Sequence, residues 1–181
     1  IADNINEKVD EIESYISEIV RASNEDFLHF EVNNSSFYSK ELFERIHRYY
    51  DDKMTLNQID FTLKAPDNCV LYGDLDRMEE VLQNLIENAI KYTPDGGKIT
   101  VRLKKSGRDA VLEISDTGVG IPEQDVDHVF DRFYRVDKAR SRAMGGTGLG
   151  LSIVKHGAMF MDAHVSVNSK INEGTTIRVL F

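Results

Sequence analysis

The sequence is poor in the features that tie a chain to an oxidising compartment or a bilayer. It has a single cysteine, Cys69, so no internal disulfide can form, and the apolar run around it marks a core residue in a reducing compartment. No apolar run approaches membrane-spanning length and no signal-like start is present, so the chain reads as soluble. Basic residues are the minority, 22 against 31 acidic, for a formal charge of −9. That balance excludes generic nucleic-acid binding and adhesion to an anionic membrane. Internal repeats and low-complexity segments are also missing. Prolines are few, at Pro66, Pro94 and Pro122 only, and none stands close after a histidine.

What is present is enough for one ordinary domain and a modest appendage in 181 residues. Ile5, Val9, Ile12, Ile16 and Ile19 alternate spacings of four and three, the seam of a coiled coil or helical bundle. So narrow a stripe is marginal alone, and residues 3 to about 28 read as one half of a dimerisation hairpin, with packing on its own domain as the alternative. Asn33 to Ser36 look like a linker, and Ser39 is placed to cap a short helix with Leu42, Phe43, Ile46 and Tyr49 on one face. Ile59 to Leu63 and Cys69 to Tyr72 read as strands joined by a turn at Pro66, Asp67 and Asn68. Ile99, Val101 and Leu103, then Ala110, Leu112 and Ile114, predict a hairpin. A helix over about 149–161 and strands near 164–168 and 175–180 complete two layers, a mixed sheet with helices on one face.

Between the predicted strands, Met78, Val81, Leu82, Leu85, Ile86, Ala89 and Ile90 form an apolar stripe at helical spacing. Asp74 is placed to cap that helix, and the turn chemistry of Pro94-Asp95-Gly96-Gly97 ends it. Asn84, Asn88 and Lys91 share one edge, with Tyr92 beside them. Amide oxygens suit a hard cation, an ammonium suits phosphate and a phenol ring can cover a base, so the edge suits a magnesium nucleotide. It would serve equally as a solvated helix edge.

Two glycine sets follow. Asp116 comes off a strand with Gly118 and Gly120 after it, where a carboxylate could accept from an exocyclic amine of adenine and bare backbone could approach the base. An ordinary strand end reads the same way. Gly146, Gly148 and Gly150 precede a helix whose first amides would suit phosphate, yet the spacing is neither that of a dinucleotide fold nor of a Walker loop. Between the sets lies a basic island: Arg132, Arg135, Lys138, Arg140 and Arg142 against Asp131 and Asp137. With Phe130, Phe133 and Tyr134 pinning its first turn, it reads as a flap reaching for an anion; a solvated loop is the alternative.

Taken together, Asn-Leu-Ile-Glu-Asn-Ala-Ile-Lys-Tyr-Thr-Pro, Asp-Thr-Gly-Val-Gly-Ile-Pro, Phe-Asp-Arg-Phe-Tyr-Arg-Val-Asp-Lys-Ala-Arg-Ser-Arg and Gly-Gly-Thr-Gly-Leu-Gly-Leu resemble the N, G1, F and G2 boxes of bacterial sensor histidine kinases, in order and at family spacing. The resemblance covers about residues 60–181 and is nearest to phosphate-response and cell-wall-regulating sensor kinases. It implies the Bergerat ATP-binding fold, an α/β two-layer sandwich with a mixed five-stranded sheet, preceded by a long N-terminal helix. Residues 1–30 would be a second dimerisation helix, 31–50 a linker and connector helix, and 51–181 the catalytic ATP-binding domain.

Carried over residue by residue, the resemblance implies that Asn88 ligates magnesium with Asn84 assisting, Lys91 contacts phosphate and Tyr92 lies against adenine. Asp116 would hold the adenine amine, with a water held by Thr175, where Gly118, Gly120 and Ile121 admit the base. Arg132, Phe133, Arg135 and Lys138 would belong to the lid, and Gly146, Thr147, Gly148, Leu149 and Gly150 would cradle phosphate. ATP and Mg2+ are the implied cofactors. The implied partners are a dimerisation and phosphoacceptor domain, a response regulator and, in the intact protein, a second copy. The implied location is the cytoplasmic portion of a membrane-anchored bacterial protein.

Two details refine this. Hydrolysing members of the superfamily carry Glu four residues before the magnesium Asn; here that position is Asn84, which cannot take a proton at neutral pH. The family's phosphoacceptor is a His followed by an acidic residue and then Pro, a context that His29, His47, His128, His156 and His164 all lack. The chain should therefore bind nucleotide without its own acceptor. The rival readings are an ATP-hydrolysing machine of the same fold and a scaffold that only dimerises.

Overall fold

The computed structural model describes residues 32–67, 69–137 and 147–181. The segment expected to form a dimerisation helix, Lys138, Arg140, Arg142 and Gly146 lie outside the described residues. The described elements are β1 (Ser35–Tyr38), α1 (Ser39–Leu56), β2 (Asp60–Lys64), β3 (Val70–Gly73), α2 (Leu75–Tyr92), β4 (Lys98–Ser106), β5 (Asp109–Asp116), a 3-10 turn (Glu123–His128), α3 (Gly150–Phe160), β6 (His164–Lys170) and β7 (Gly174–Leu180). A five-stranded sheet runs in the order β2-β4-β5-β7-β6, with β2 parallel to β4 and the remaining pairs antiparallel. This is the mixed five-stranded sheet of the two-layer sandwich. The parallel pair needs a crossover, and α2 lies in that connection.

Alternation sorts the sheet's faces. Ile99, Val101 and Leu103 of β4, Leu112 and Ile114 of β5 and Ile177 and Val179 of β7 are buried in one core with α1 and α2. The opposite face is polar, and its centre is Glu113, whose carboxylate accepts from Arg178 at 2.8 Å and Arg102 at 3.4 Å, with Lys104 at 3.5 Å. Burial alone would raise the Glu113 carboxyl, but Arg178 and Lys104 outweigh it and hold it below the ordinary glutamate range. A depressed folded value means the stabilisation is complete above the ordinary glutamate range and disappears as pH falls through the depressed one. Glu113→Gln is expected to lower stability at pH 7 by about 1–3 kcal/mol. In urea titrations that deficit should shrink on acidification.

Four local expectations are corrected. Ser35 and Ser36 are not linker but the start of β1, which pairs antiparallel with β3 as a separate two-stranded sheet. The strands β2 and β3, joined near Pro66 as expected, belong to different sheets. The helix after β1 is not short, and Ser39 does not cap it: Tyr38 holds the cap position without a side-chain bond, while the Ser39 N–H donates to the Cys69 carbonyl at 2.8 Å. Finally, Tyr49 is 62% exposed and Tyr50 is buried in its stead, because one helical turn beyond Ile46 its hydroxyl meets Glu87 at 3.3 Å.

Candidate functional site

The α2 helix is fixed from both ends. Asp74 accepts the Arg77 N–H at 3.1 Å through Oδ1 and the Asn33 N–H at 3.0 Å through Oδ2, and Thr93 closes the C-terminus against the Ala89 carbonyl. Met78, Val81, Leu82, Leu85, Ile86 and Ala89 are buried, which turns the edge bearing Asn84, Asn88, Lys91 and Tyr92 toward a cleft of about 770 Å³. That volume falls in the range of small-molecule sites. Asn84 Nδ2 donates to the Glu80 carbonyl at 2.8 Å, and a Cβ built on Gly150 would stand 3.6 Å from its oxygen. The oxygen therefore faces the N-terminus of α3. The Asn88 amide has no side-chain partner among the described residues.

The other end of the cleft is built on Asp116. Its Oδ1 accepts from the Gly118 N–H at 2.8 Å and the Thr175 N–H at 3.2 Å, and no described residue donates to Oδ2. Burial pushes the carboxyl above the ordinary aspartate range, and the two N–H groups pull it back without reversing the shift. An oriented carboxylate with one oxygen open to a cleft is an acceptor waiting for a donor. Ser169 braces the same corner, donating to the Gly174 carbonyl at 2.9 Å and accepting from the Ile121 N–H at 2.8 Å. Since the single Ser169 proton is used there, the Thr175 hydroxyl, 2.8 Å away, donates to Ser169 and keeps its lone pairs for the cleft.

Two glycines make this corner possible. At Gly120, with φ of +70°, a Cβ would lie 2.0 Å from the Lys170 carbonyl oxygen; at Gly174, with φ of +103°, one would lie 2.0 Å from that of Asp116. Gly120 is one of the expected residues. Neither Gly174 nor Ser169 was singled out from the sequence, because Gly174 answers to Asp116 and Ser169 to Ile121, both distant in the chain.

The cleft brings together Asn84, Asn88, Lys91, Tyr92, Asp116, Gly120, Ile121, Arg135, Thr147, Gly148, Gly150 and Thr175. Gly118 stands behind Asp116 as its hydrogen-bond donor. Three more expected residues stand outside the lining. Arg132 sits 3.4 Å from His156 Nε2 on α3, Leu149 is buried against Ile153, and Phe133 is 63% exposed with its N–H donating to the Gly148 carbonyl at 2.9 Å. Phe133 thus does not pin the first turn of the basic segment. Phe130 packs on the core there, and the Tyr134 hydroxyl donates to Asp125. Lys53, which no motif marks, and Glu87, within the first motif but given no role there, also line the cleft.

The donor set can be matched to a ligand. An open carboxylate oxygen and apolar walls from Val119, Ile121 and Ile171 suit a purine, while α3 begins at Gly150 with no side-chain cap, leaving its first amides to an anion. The Asn88 amide, without a side-chain partner among the described residues, suits a hard cation between the two ends.

Residues 73–181 match the family of histidine kinase-, DNA gyrase B-, and HSP90-like ATPases. Sensor histidine kinase WalK of Bacillus subtilis is 44% identical over 129 residues, 69% of this chain and 21% of WalK. The chain therefore spans about a fifth of that relative's length. Among solved structures, the mycobacterial sensor histidine kinase MprB is 30% identical with a TM-score of 0.71, covering 81% of this chain and 97% of that one. Histidine kinase ThkA, solved in complex with the response regulator protein TrrA, shares the fold at 21% identity and a TM-score of 0.76, over 99% of this chain and 49% of that one. The chain belongs to the histidine kinase-, DNA gyrase B- and HSP90-like ATPase family, and its relatives there are sensor histidine kinases.

Proposed function

We propose that this chain is the ATP-binding catalytic portion of a sensor histidine kinase, which passes the γ-phosphoryl group of ATP to a histidine on a dimerisation domain not complete in this sequence. The observation that carries it is the cleft with the open Asp116 carboxylate oxygen at one end, the start of α3 at the other and Asn88 between them. Asp116 would accept from the adenine amine, with Thr175 accepting beside it and Tyr92 covering the ring. Asn88, assisted by Asn84, would hold Mg2+, which supplies charge neutralisation on the phosphates. Lys91 and Arg135 would contact phosphate oxygens, and the amides opening α3 would cradle them through Thr147, Gly148 and Gly150. Catalysis would then be mostly positioning and electrostatic stabilisation, with Asn88 and Lys91 nearest the transferred group. Arg132, Phe133, Lys138, Gly146 and Leu149 would complete the site around the bound nucleotide, as lid residues or by supporting them.

Residues 1–30 would supply the second dimerisation helix and residues 31–50 its connection to the catalytic unit over 51–181, with a homodimer forming in the intact protein. Its phosphohistidine would be consumed by an aspartate of a response regulator, as the ThkA complex with TrrA suggests. Among the described residues no helix is long and apolar enough to cross a membrane. We place this portion in the cytoplasm of a membrane-anchored bacterial protein.

Asn84 separates this reading from an ATP-hydrolysing machine, since an amide cannot activate water. Given Mg2+ and ATP, the chain alone is therefore expected to show almost no steady-state phosphate release while binding ATP in preference to GTP. Sustained turnover in a phosphate-release assay would favour the hydrolase instead. Failure to bind ATP would favour a scaffold.

A further inference from the structure

One basic side chain of the cleft comes from outside the segment matched to the ATPase family. That match begins at residue 73, whereas Lys53 is in the last turn of α1. It lines the cleft alongside Asn84, Glu87 and Asn88, the polar edge nearest the start of α3. A lysine in a last helical turn is ordinarily explained by the helix dipole. Its surroundings here ask for more.

Lys53 Nζ is 3.7 Å from Glu87 Oε1 and 5.7 Å from the Tyr50 ring centroid. That is longer than a charge-assisted hydrogen bond, and both side chains are about half exposed, so the pair is loose and contributes little to stability. Glu87 does not depend on it. Its Oε1 also lies 3.3 Å from the Tyr50 hydroxyl, and burial together with the Glu87 charge keeps that phenol protonated far above its usual range. Were Lys53 to leave, Glu87 would still have the Tyr50 hydroxyl in reach, shared with the Gln83 carbonyl at 3.3 Å. Lys53 and Asn88 line the same cleft, so the ammonium stands on the wall that carries the residue assigned to the metal.

We propose that Lys53 is a further phosphate-binding residue, released from Glu87 to the terminal phosphate of a bound nucleoside triphosphate, and that it makes the cleft discriminate triphosphate from diphosphate. This rests on the nucleotide reading of the cleft. A flexible four-carbon stem carrying a point charge suits that transfer, and a multiply charged phosphate outcompetes a single exposed carboxylate.

The test is calorimetric titration of the whole chain, with Mg2+, against adenosine, ADP and a non-hydrolysable ATP analogue. Lys53→Ala is expected to weaken the ATP analogue about tenfold and ADP about twofold or less, leaving adenosine unchanged. Lys53→Arg should retain most of the triphosphate preference. Glu87→Gln, which frees the ammonium, should bind the analogue at least as tightly as wild type. The idea is overturned if Lys53→Ala weakens all three ligands equally, if it leaves the preference for triphosphate intact, or if Glu87→Gln reproduces its losses, since each outcome would make the pair a mere tie between helices. Wild-type protein that binds none of the three would overturn the nucleotide reading and this inference together.

Discussion

Replacing Asp116 with Asn is expected to lower affinity for ATP by at least about a hundredfold, because a site built to pair one hydrogen-bonding group discriminates strongly when that group is lost. The substitution is nearly isosteric. An amide oxygen can still accept from the Gly118 and Thr175 N–H groups, now 2.8 and 3.2 Å from Oδ1. What changes is the second position, where an acceptor becomes an NH2 donor facing the donor on adenine. The free protein should respond in the opposite sense. The Asp116 carboxyl is raised by burial, so its ionised form costs stability at neutral pH, and stability from this group grows as pH falls through the raised value toward the ordinary aspartate range. Asp116→Asn removes that cost. Its melting temperature without nucleotide should match or exceed wild type at pH 7, and the difference should fade on acidification. Thermal melts across pH, paired with calorimetric titrations, check both halves; a variant that binds ATP normally, or one that binds poorly because it is unfolded, would contradict the assignment.

The second large effect is on folding. Gly174→Ala places a methyl 2.0 Å from the Asp116 carbonyl oxygen at a φ of +103°, a combination that moves backbone rather than a side chain. The expected loss is about 3–5 kcal/mol, which for a domain of this size lowers the melting temperature by roughly 10 °C or more. Gly107→Ala is the control: φ is +62° there, but a Cβ would meet nothing within 4 Å, so only the backbone preference of roughly 1 kcal/mol is at stake. Equal losses for the two variants would show that the close approach at Gly174 contributes nothing. Surviving Gly174→Ala protein should also bind nucleotide weakly, since displacing the strand start moves the Thr175 N–H from Asp116.

Much of this was legible in the sequence where the information is local. The α2 helix announces itself through its apolar stripe, its Asp74 cap and the Pro94 stop, and the β4–β5 hairpin through alternation around a glycine turn. Asp116 and the glycines after it follow from motif order. Illegible were features set by distant partners. A four-residue strand such as β1 buries one residue, Phe37, and otherwise shows serines and an exposed tyrosine, so its composition matches a linker until β3 is placed beside it. Tyr49 and Tyr50 fall within one helical arc of Ile46, and only the position of α2 decides which is buried. Gly174 looks like an ordinary turn residue until Asp116 approaches from across the sheet, and Ser169 like a solvated strand residue until the Ile121 N–H reaches it. Lys53 looks like a solvated helix end until α2 supplies Glu87.

The central claim is that segments far apart in sequence form one purine triphosphate pocket, and backbone amide chemical shifts recorded while titrating Mg2+ with a non-hydrolysable ATP analogue test it most directly. The account predicts saturable shifts that are largest together at Asn88, at 116–121, at 148–151 and at Thr175, with the polar sheet face around Glu113 and Arg178 still. Shifts confined to that face, or none at saturating nucleotide, would contradict it.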